Sequence, residues 1–415
     1  MIIASKTGKL IETKVQFAEQ SLKIDRETEE AVLTEKSTVV LVPCREYNEE
    51  KVYECIRKGV SMLGGFSSFV KPEEKILLKP NMLKASAPEN AVSTHPSVFS
   101  AVLRCLSEEG YGHLFYGDSP GMTAASPEGL AKACGLSEPA DRYRAVQLPF
   151  MEAETVSYPE GRRAKSFPIA KDVLSCDAIL SLCKMKTHAL ENITGACKNQ
   201  YGCIAGKNKS VGHAKYPDAG SFADMITDLN MFLKPRLYLM DGIVAMEGNG
   251  PSAGDPVPMN VLLMSRDPVA LDTVFAELIH LPPECVPTIV SGAKAGLGKM
   301  KPEEIRVLTP EGELSLKSAG ERYGRKEFQV NRRKASFWNP VSTIRMALSG
   351  RERPVLDPSL CAGCGVCEMV CPVEGKAVHA GGGKKASYEY KKCIRCFCCQ
   401  EMCPQKAITR KYRLL

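Results

Sequence analysis

Two cysteine runs near the C-terminus carry the clearest chemistry in this 415-residue chain. The first reads Cys361-Ala-Gly-Cys364-Gly-Val-Cys367-Glu-Met-Val-Cys371-Pro372, the second Cys393-Ile-Arg-Cys396-Phe-Cys-Cys399-Gln-Glu-Met-Cys403-Pro404. Both are C-x2-C-x2-C-x3-C-P, a spacing in which three thiolates grip one [4Fe–4S] cube and the fourth crosses to its neighbour. Two [4Fe–4S] clusters are therefore expected. Cys361, Cys364, Cys367 and Cys403 should hold one, and Cys393, Cys396, Cys399 and Cys371 the other. Zinc commonly takes paired C-x2-C elements, which a tight row of three cysteines plus Cys-Pro does not supply. Gly363 and Gly365 let the backbone turn around the cube and aim N–H groups at sulfur, a lever on the potential. The runs form an internal duplication, and Cys398 stands outside its spacing as a ninth, non-ligating thiol.

Eighteen cysteines would suggest disulfides in a short secreted chain, but nine of them fall between Cys361 and Cys403 at metal spacing. That argues for thiolate ligands in a reducing compartment. The N-terminal residues lack the apolar core of a signal peptide, and no uncharged apolar run is long enough to cross a bilayer. A cytoplasmic location and no transmembrane segment are expected. The net charge of +7 is uneven: residues 321–353 hold nine Lys/Arg against three Asp/Glu, and 354–415 hold ten against five. Eight ligating thiolates and two cluster cores would bring the loaded tail to about +1. A nucleic-acid partner is therefore not expected.

The elements that must position this chemistry lie upstream. Residues 1–36 read as a polar lead-in. From Ser37 onward strand and helix signals alternate. Strands are expected at Ser37–Pro43, Lys75–Lys79, His113–Asp118, Ala178–Leu182, Arg236–Met240 and Val261–Met264. Helices are expected over 49–63, 96–106 with Thr94 as N-cap, 222–232, and 268–279 opened by Asp267. Such alternation predicts an α/β domain over 37–320, a mostly parallel sheet flanked by helices. A basic linker, 321–353, follows, with a short helix at Ser336–Leu348 carrying Trp338. A small α+β two-cluster ferredoxin-like domain, 354–415, closes the chain.

Polar groups gather where strands end, the usual ligand edge of an open α/β sheet. They include Lys79-Pro-Asn81, Asp118-Ser-Pro-Gly121, Lys184-Met-Lys-Thr-His188, Asn192, Lys198-Asn199, Asp241 and Glu247-Gly-Asn-Gly250. Lys184, Lys186, His188 and Lys198 suit a small anionic substrate; Asp118, Asp241 and Glu247 suit a divalent metal or acid–base work. Polar residues at strand ends are also ordinary turn formers and caps. Gly202-Cys-Ile-Ala-Gly206-Lys207-Asn208 is one residue short of a phosphate loop and lacks its Ser/Thr, and Gly248-Asn-Gly-Pro-Ser-Ala253 opens no helix. Cys197, Cys203 and His213 read as buried residues rather than as a further metal site.

Lys79-Pro-Asn81, Lys184-Met-Lys-Thr-His188, Met240-Asp-Gly-Ile243, Met246-Glu-Gly-Asn-Gly-Pro251 and Asp267-Pro-Val-Ala-Leu-Asp272 resemble the pattern of the "domain of unknown function 362" family over roughly residues 38–290. Proteins of that kind often carry a C-terminal two-cluster ferredoxin domain. The resemblance implies an anaerobe-type, cytoplasmic iron–sulfur protein and favours one site at the strand ends. Two functions compete. In one, the clusters serve a redox reaction, as an oxidoreductase or a subunit of one, on a small anionic substrate held by the α/β domain. In the other, the chain is an electron carrier or adaptor whose α/β domain docks a redox partner protein.

Overall fold

The computed structural model describes residues 36–120, 125–206, 208–332 and 351–413. The expected lead-in, apart from Lys36, and the Trp338 helix lie outside the described residues.

The run Val39-Val-Leu-Val42 is apolar without alternation because its strand is covered on both faces. Val39 and Leu41 pack with the helices Ala219–Leu233, Pro268–Leu278 and Pro287–Ala295. Val40 and Val42 pack on the other side with Glu49–Ser61 and Pro96–Glu108. Between these two layers lies a sheet of ten strands: β1 (Ser37–Pro43), β2 (Ile76–Pro80), β3 (Leu114–Tyr116), β4 (Val146–Gln147), β7 (Ala178–His188), β8 (Asn192–Thr194), β9 (Leu237–Glu247), β10 (Asp255–Ser265), β11 (Ile305–Thr309) and β12 (Gly312–Leu314). Strands β5 (Ala153–Ser157) and β6 (Ser166–Ala170) form a separate hairpin. The order across the sheet is β12-β11-β1-β10-β9-β7-β2-β3-β4, with β8 on β7. From β4 to β9 the main path is parallel. β10 runs antiparallel to both β9 and β1, and β1 pairs in parallel with β11. The α/β class with a mostly parallel sheet is what the alternation of signals implied.

Two local expectations are corrected. Thr94 does not cap the helix Pro96–Glu108; His95 does, its Nδ1 accepting the Ser97 N–H at 3.2 Å. Thr94 is drawn inward instead, accepting the Asn81 N–H and donating to the Leu182 carbonyl at 2.7 Å. The strand expected to end at Leu182 runs on through Lys184-Met-Lys-Thr-His188. This segment is the second half of the eleven-residue β7, buried throughout. Asp267 does cap its helix, accepting the Val269 and Ala270 N–H groups.

The C-terminal module pairs β13 (Arg351–Leu356) with β16 (Ile408–Arg413) and β14 (Val378–Gly381) with β15 (Lys384–Tyr388), both antiparallel. β13 starts inside the stretch expected as linker. The one-turn helices Val366–Met369 and Cys398–Glu401 follow the first ligands of each run. The module sits on the C-terminal ends of β7 and β9. Gln400, fully buried, donates from Nε2 to the Asn249 carbonyl, the Asn249 Oδ1 and the Gly250 carbonyl at 2.9, 2.9 and 3.1 Å. Ser252 Oγ bonds the Glu401 carbonyl, and Arg410 bonds the Ala189 carbonyl.

Candidate functional site

The eight motif cysteines divide between two cavities. One is lined by Cys361, Cys364, Cys367 and Cys403, the other by Cys371, Cys393, Cys396 and Cys399. Each cavity thus draws three thiols from one run and the fourth from the other. Among the described residues, no three His, Cys, Asp or Glu side chains converge as a single metal ion would require. Thiols spaced around a void, rather than meeting at a point, fit a cubane cluster. Backbone groups point at the sulfurs: Ala377 N–H lies 3.4 Å from Cys371 Sγ, and Ala407 N–H lies 3.3 Å from Cys403 Sγ. Tyr388 OH adds a bond to Cys399 Sγ at 3.4 Å. Such donors stabilise the more negative, reduced state. Gly363 and Gly365 have φ of 65° and 80°, and a Cβ on Gly363 would lie 2.5 Å from the Gly383 carbonyl carbon. Arg395 and Phe397 repeat that backbone in the second run with φ of 58° and 63°.

Strand alternation puts Lys184, Lys186 and His188 on one face of β7. Each then enters a different network. Lys184 Nζ, buried, lies 2.7 Å from Asp241 Oδ2 and 2.8 Å from Tyr47 OH. Tyr47 OH also donates to Asp241 Oδ1 at 2.8 Å, and the His95 N–H reaches Asp241 Oδ2 at 3.0 Å. The His95 ring stacks on Tyr47 at 3.5 Å, and burial holds its pKa down at about 4. Burial also lowers the Lys184 pKa, against the pull of Asp241. Lys186 donates to Asn81 Oδ1 at 2.8 Å and to the Val92 carbonyl, and burial lowers its pKa to about 7.

His188 reaches across to the cluster module. Its Nδ1 accepts the Leu190 and Glu191 N–H groups, both at 3.1 Å, so the ring proton sits on Nε2. From there it faces Glu401 Oε1 at 2.7 Å. Burial keeps the imidazole neutral, with a pKa of about 4, while His188, Lys198 and His213 hold the Glu401 carboxyl well below its usual range despite burial. Asp118 pairs with Lys79 at 2.9 Å, both buried, and accepts the Met82 N–H. Glu247 lies apart, accepting the Gln329 N–H at 2.8 Å. The three carboxylates proposed for metal or proton work thus have separate partners rather than a shared centre.

A cavity of about 80 Å³ lies where the two modules meet. Lys79, Asn81, Asp118, Lys198, Asn199, Lys209 and His213 line it from the α/β domain; Val370, Cys398, Glu401 and Met402 line it from the cluster module. Lys184, Lys186, Asp241 and Glu247 are not among its walls. Gly202 must be glycine here: a Cβ would fall 1.8 Å from Asp118 Oδ1 and 2.4 Å from Lys79 Nζ.

Over residues 76–277 the chain matches the family described as Domain of unknown function (DUF362), and over 353–404 a 4Fe-4S dicluster domain. A thylakoid-associated protein of Synechocystis sp. is 33% identical over 262 residues, which are 63% of this chain and 80% of that protein. The chain belongs to the DUF362 family. A ferredoxin of Pyrobaculum islandicum is 35% identical over 63 residues, covering 15% of this chain and 57% of that protein. The C-terminal module accordingly has an iron–sulfur electron-transfer role. Two solved structures overlap about half of the chain. One is a Thermotoga maritima protein (TM-score 0.32, 16% identity, 51% of this chain and 53% of that one). The other is the lactate racemase apoprotein of Thermoanaerobacterium thermosaccharolyticum (TM-score 0.35, 12% identity, 55% and 54%).

Within the DUF362 domain, the quoted motifs do different work. Lys79-Pro-Asn81 reaches the junction cavity, Asp241 anchors the Tyr47–His95–Lys184 network, and Asp272 accepts the Ala196 and Cys197 N–H groups. Cys197 and Cys203 are core residues. Reading the sequence missed Tyr47, His95, Lys209 and Glu401. Only Glu401 carried a signal: it is a charged residue in the second cysteine run at the position that Met369 fills in the first.

Proposed function

We propose that this chain is an electron-transfer protein with two [4Fe–4S] clusters, serving a redox reaction at the cavity between its modules. Cys361, Cys364, Cys367 and Cys403 hold one cluster; Cys393, Cys396, Cys399 and Cys371 hold the other. The observation that carries this reading is the shared wall: Cys398, beside the ligand Cys396, lines the same cavity as Lys79, Lys198 and Lys209. When bound, the clusters supply one-electron transfer at potentials the protein tunes. Cys364 is the exposed thiol of the set, so the first cavity faces a redox partner protein. Cys396, Cys398 and Cys399 are buried and face inward. Lys198 and Lys209 orient a small anionic substrate at the junction of the two modules. On this reading the chain is an oxidoreductase, or a subunit of one, working in a reducing cytoplasm.

Anaerobic purification with iron and sulfide analysis tests the cluster count; far fewer than about eight irons per chain would end the two-cluster claim. Stopped-flow reoxidation of the reduced protein by a metabolite panel tests the redox site. Should nothing reoxidise it, the carrier or adaptor reading takes over. That reading is favoured by the internal pairing of Lys79 with Asp118 and Lys184 with Asp241, which leaves both lysines satisfied without a substrate. Membrane fractionation checks the location, given the thylakoid association named for the Synechocystis relative.

A further inference from the structure

The charges around the junction cavity do not balance. Three ammonium groups, Lys79, Lys198 and Lys209, face two carboxylates, Asp118 and Glu401. Asp118 is taken by Lys79 at 2.9 Å. Glu401 lies against the neutral His188, so no ammonium group is in contact with it there. Among the described residues, Lys198 and Lys209 form no ion pair with a carboxylate. Among the described residues Lys209 donates to the Ser119 and Pro120 carbonyls, and Lys198 lies 5.9 Å and 5.8 Å from the Tyr201 and Phe222 ring centres. His213, 5% exposed and stacked on Phe222 at 4.6 Å, keeps a buried Nδ1 with no hydrogen-bond partner. An unmet imidazole nitrogen and a surplus positive charge in one cavity call for an acceptor-rich anion.

We propose that the cavity binds a small oxyanion of single negative charge, a short carboxylate, held by Lys198 and Lys209 with His213 as the third contact. A volume of about 80 Å³ holds on the order of five to eight water-sized groups, which limits the ligand to a few non-hydrogen atoms. Among the lining side chains themselves one positive charge is uncompensated, which favours a monoanion over a dianion. Asn199 does not compete for the ligand, because its amide is spent on the Lys79 carbonyl and Ser181 Oγ. This ligand class rests on the redox reading only for its role as substrate; the binding itself needs no turnover.

The test is calorimetric titration of the oxidised, cluster-loaded protein with formate and acetate, and with sulfate as the dianion. The expected result is saturable one-to-one binding of the carboxylates and weaker binding of sulfate. Lys198→Gln and Lys209→Gln should each weaken it about tenfold or more, with Lys384→Gln, on the far hairpin, unchanged. His213→Gln, which removes no charge, should weaken it less and guards against a misfolded lysine variant. Absence of saturable binding by about 10 mM, or equal weakening in Lys384→Gln, would overturn the site. Carboxylate binding without reoxidation of the reduced clusters by any carboxylate would leave the site standing and remove the redox reading alone.

Discussion

Replacing Gln400 with alanine should undock the cluster module without emptying it. The Gln400 amide has two protons and three acceptors within 3.1 Å, so about two bonds are made at a time. Each is worth about 1 kcal/mol net, and a buried acceptor left unmet costs about 1–3 kcal/mol more. Loss of docking free energy is therefore about 3 kcal/mol, roughly a hundredfold shift in the docked-to-undocked ratio. The module depends on such contacts because a domain of some sixty residues buries little apolar surface by itself; its core holds few residues beyond the ligands. Hydrogen exchange with mass spectrometry provides the assay. The Gly250 amide donates to Thr187 Oγ1 at 3.1 Å beneath Gln400 and should lose protection in the variant. Iron content should stay at the wild-type value, and the exposed Gln405→Ala should change nothing. Unchanged protection around 248–252 in Gln400→Ala, with iron retained, would refute the view that this amide clamps the modules together.

Three further outcomes are expected. Lys184→Met leaves Asp241 buried without its cation and should cost about 3–5 kcal/mol by chemical denaturation, whereas a loss below about 1 kcal/mol would mean that Tyr47 and the His95 N–H suffice. Gly363→Ala, with a left-handed φ and a backbone atom in the way of its Cβ, should lose about half the iron while the second cavity stays loaded. His188 and His213 are buried neutral, with pKa values of about 4 and about 3, below the usual range. The unfolded chain then binds more protons, so stability is full above about pH 6.5 and falls as pH drops toward 4, by up to about 1.4 kcal/mol per unit for each ring. Glu401 opposes this for both rings, Lys198 reinforces it for both, and Lys186 for His188 and Lys209 for His213 add to it. His213→Asn should flatten the slope of the denaturation midpoint between about pH 6.5 and 5, and an unchanged slope would count against the buried neutral ring.

What was legible in the sequence was local. Cysteine spacing implies which thiols would share a cube because the ligands of each run sit within a few residues of each other, and the eight cysteines line two cavities in that crossed grouping. Strand–helix alternation was equally plain, since Val39 to Val42 and the four-residue spacing of Val52, Ile56 and Val60 report burial directly. The second half of β7 was misread because Lys184, Lys186 and His188 are polar at buried positions. Their partners, Asp241, Asn81 and Glu401, come from distant parts of the chain, and no periodicity announces them. Thr94 lost its cap for a related reason. A tertiary bond to the Leu182 carbonyl outweighed the local one.

The duplication in the cluster module holds one more signal, in the way its halves differ. Positions 32 apart share a backbone, so Val366, Glu368 and Met369 correspond to Cys398, Gln400 and Glu401. In the first half Met369 is 51% exposed, as solvent-side residues of a free-standing repeat can be. In the second half the same three positions are buried, with Cys398 and Glu401 in the junction cavity and Gln400 clamped to Asn249. Val370 and Met402, also equivalent, both reach that cavity. In a free-standing pseudo-twofold module nothing would require one half to bury polar side chains at positions that the other half leaves partly exposed. The asymmetry follows from docking: the exchanged side chains of the second half meet His188, Asn249 and the cavity, to which the first half contributes Val370. Departure from an internal repeat, rather than the repeat itself, marks the face by which the electron-transfer module joins the α/β domain.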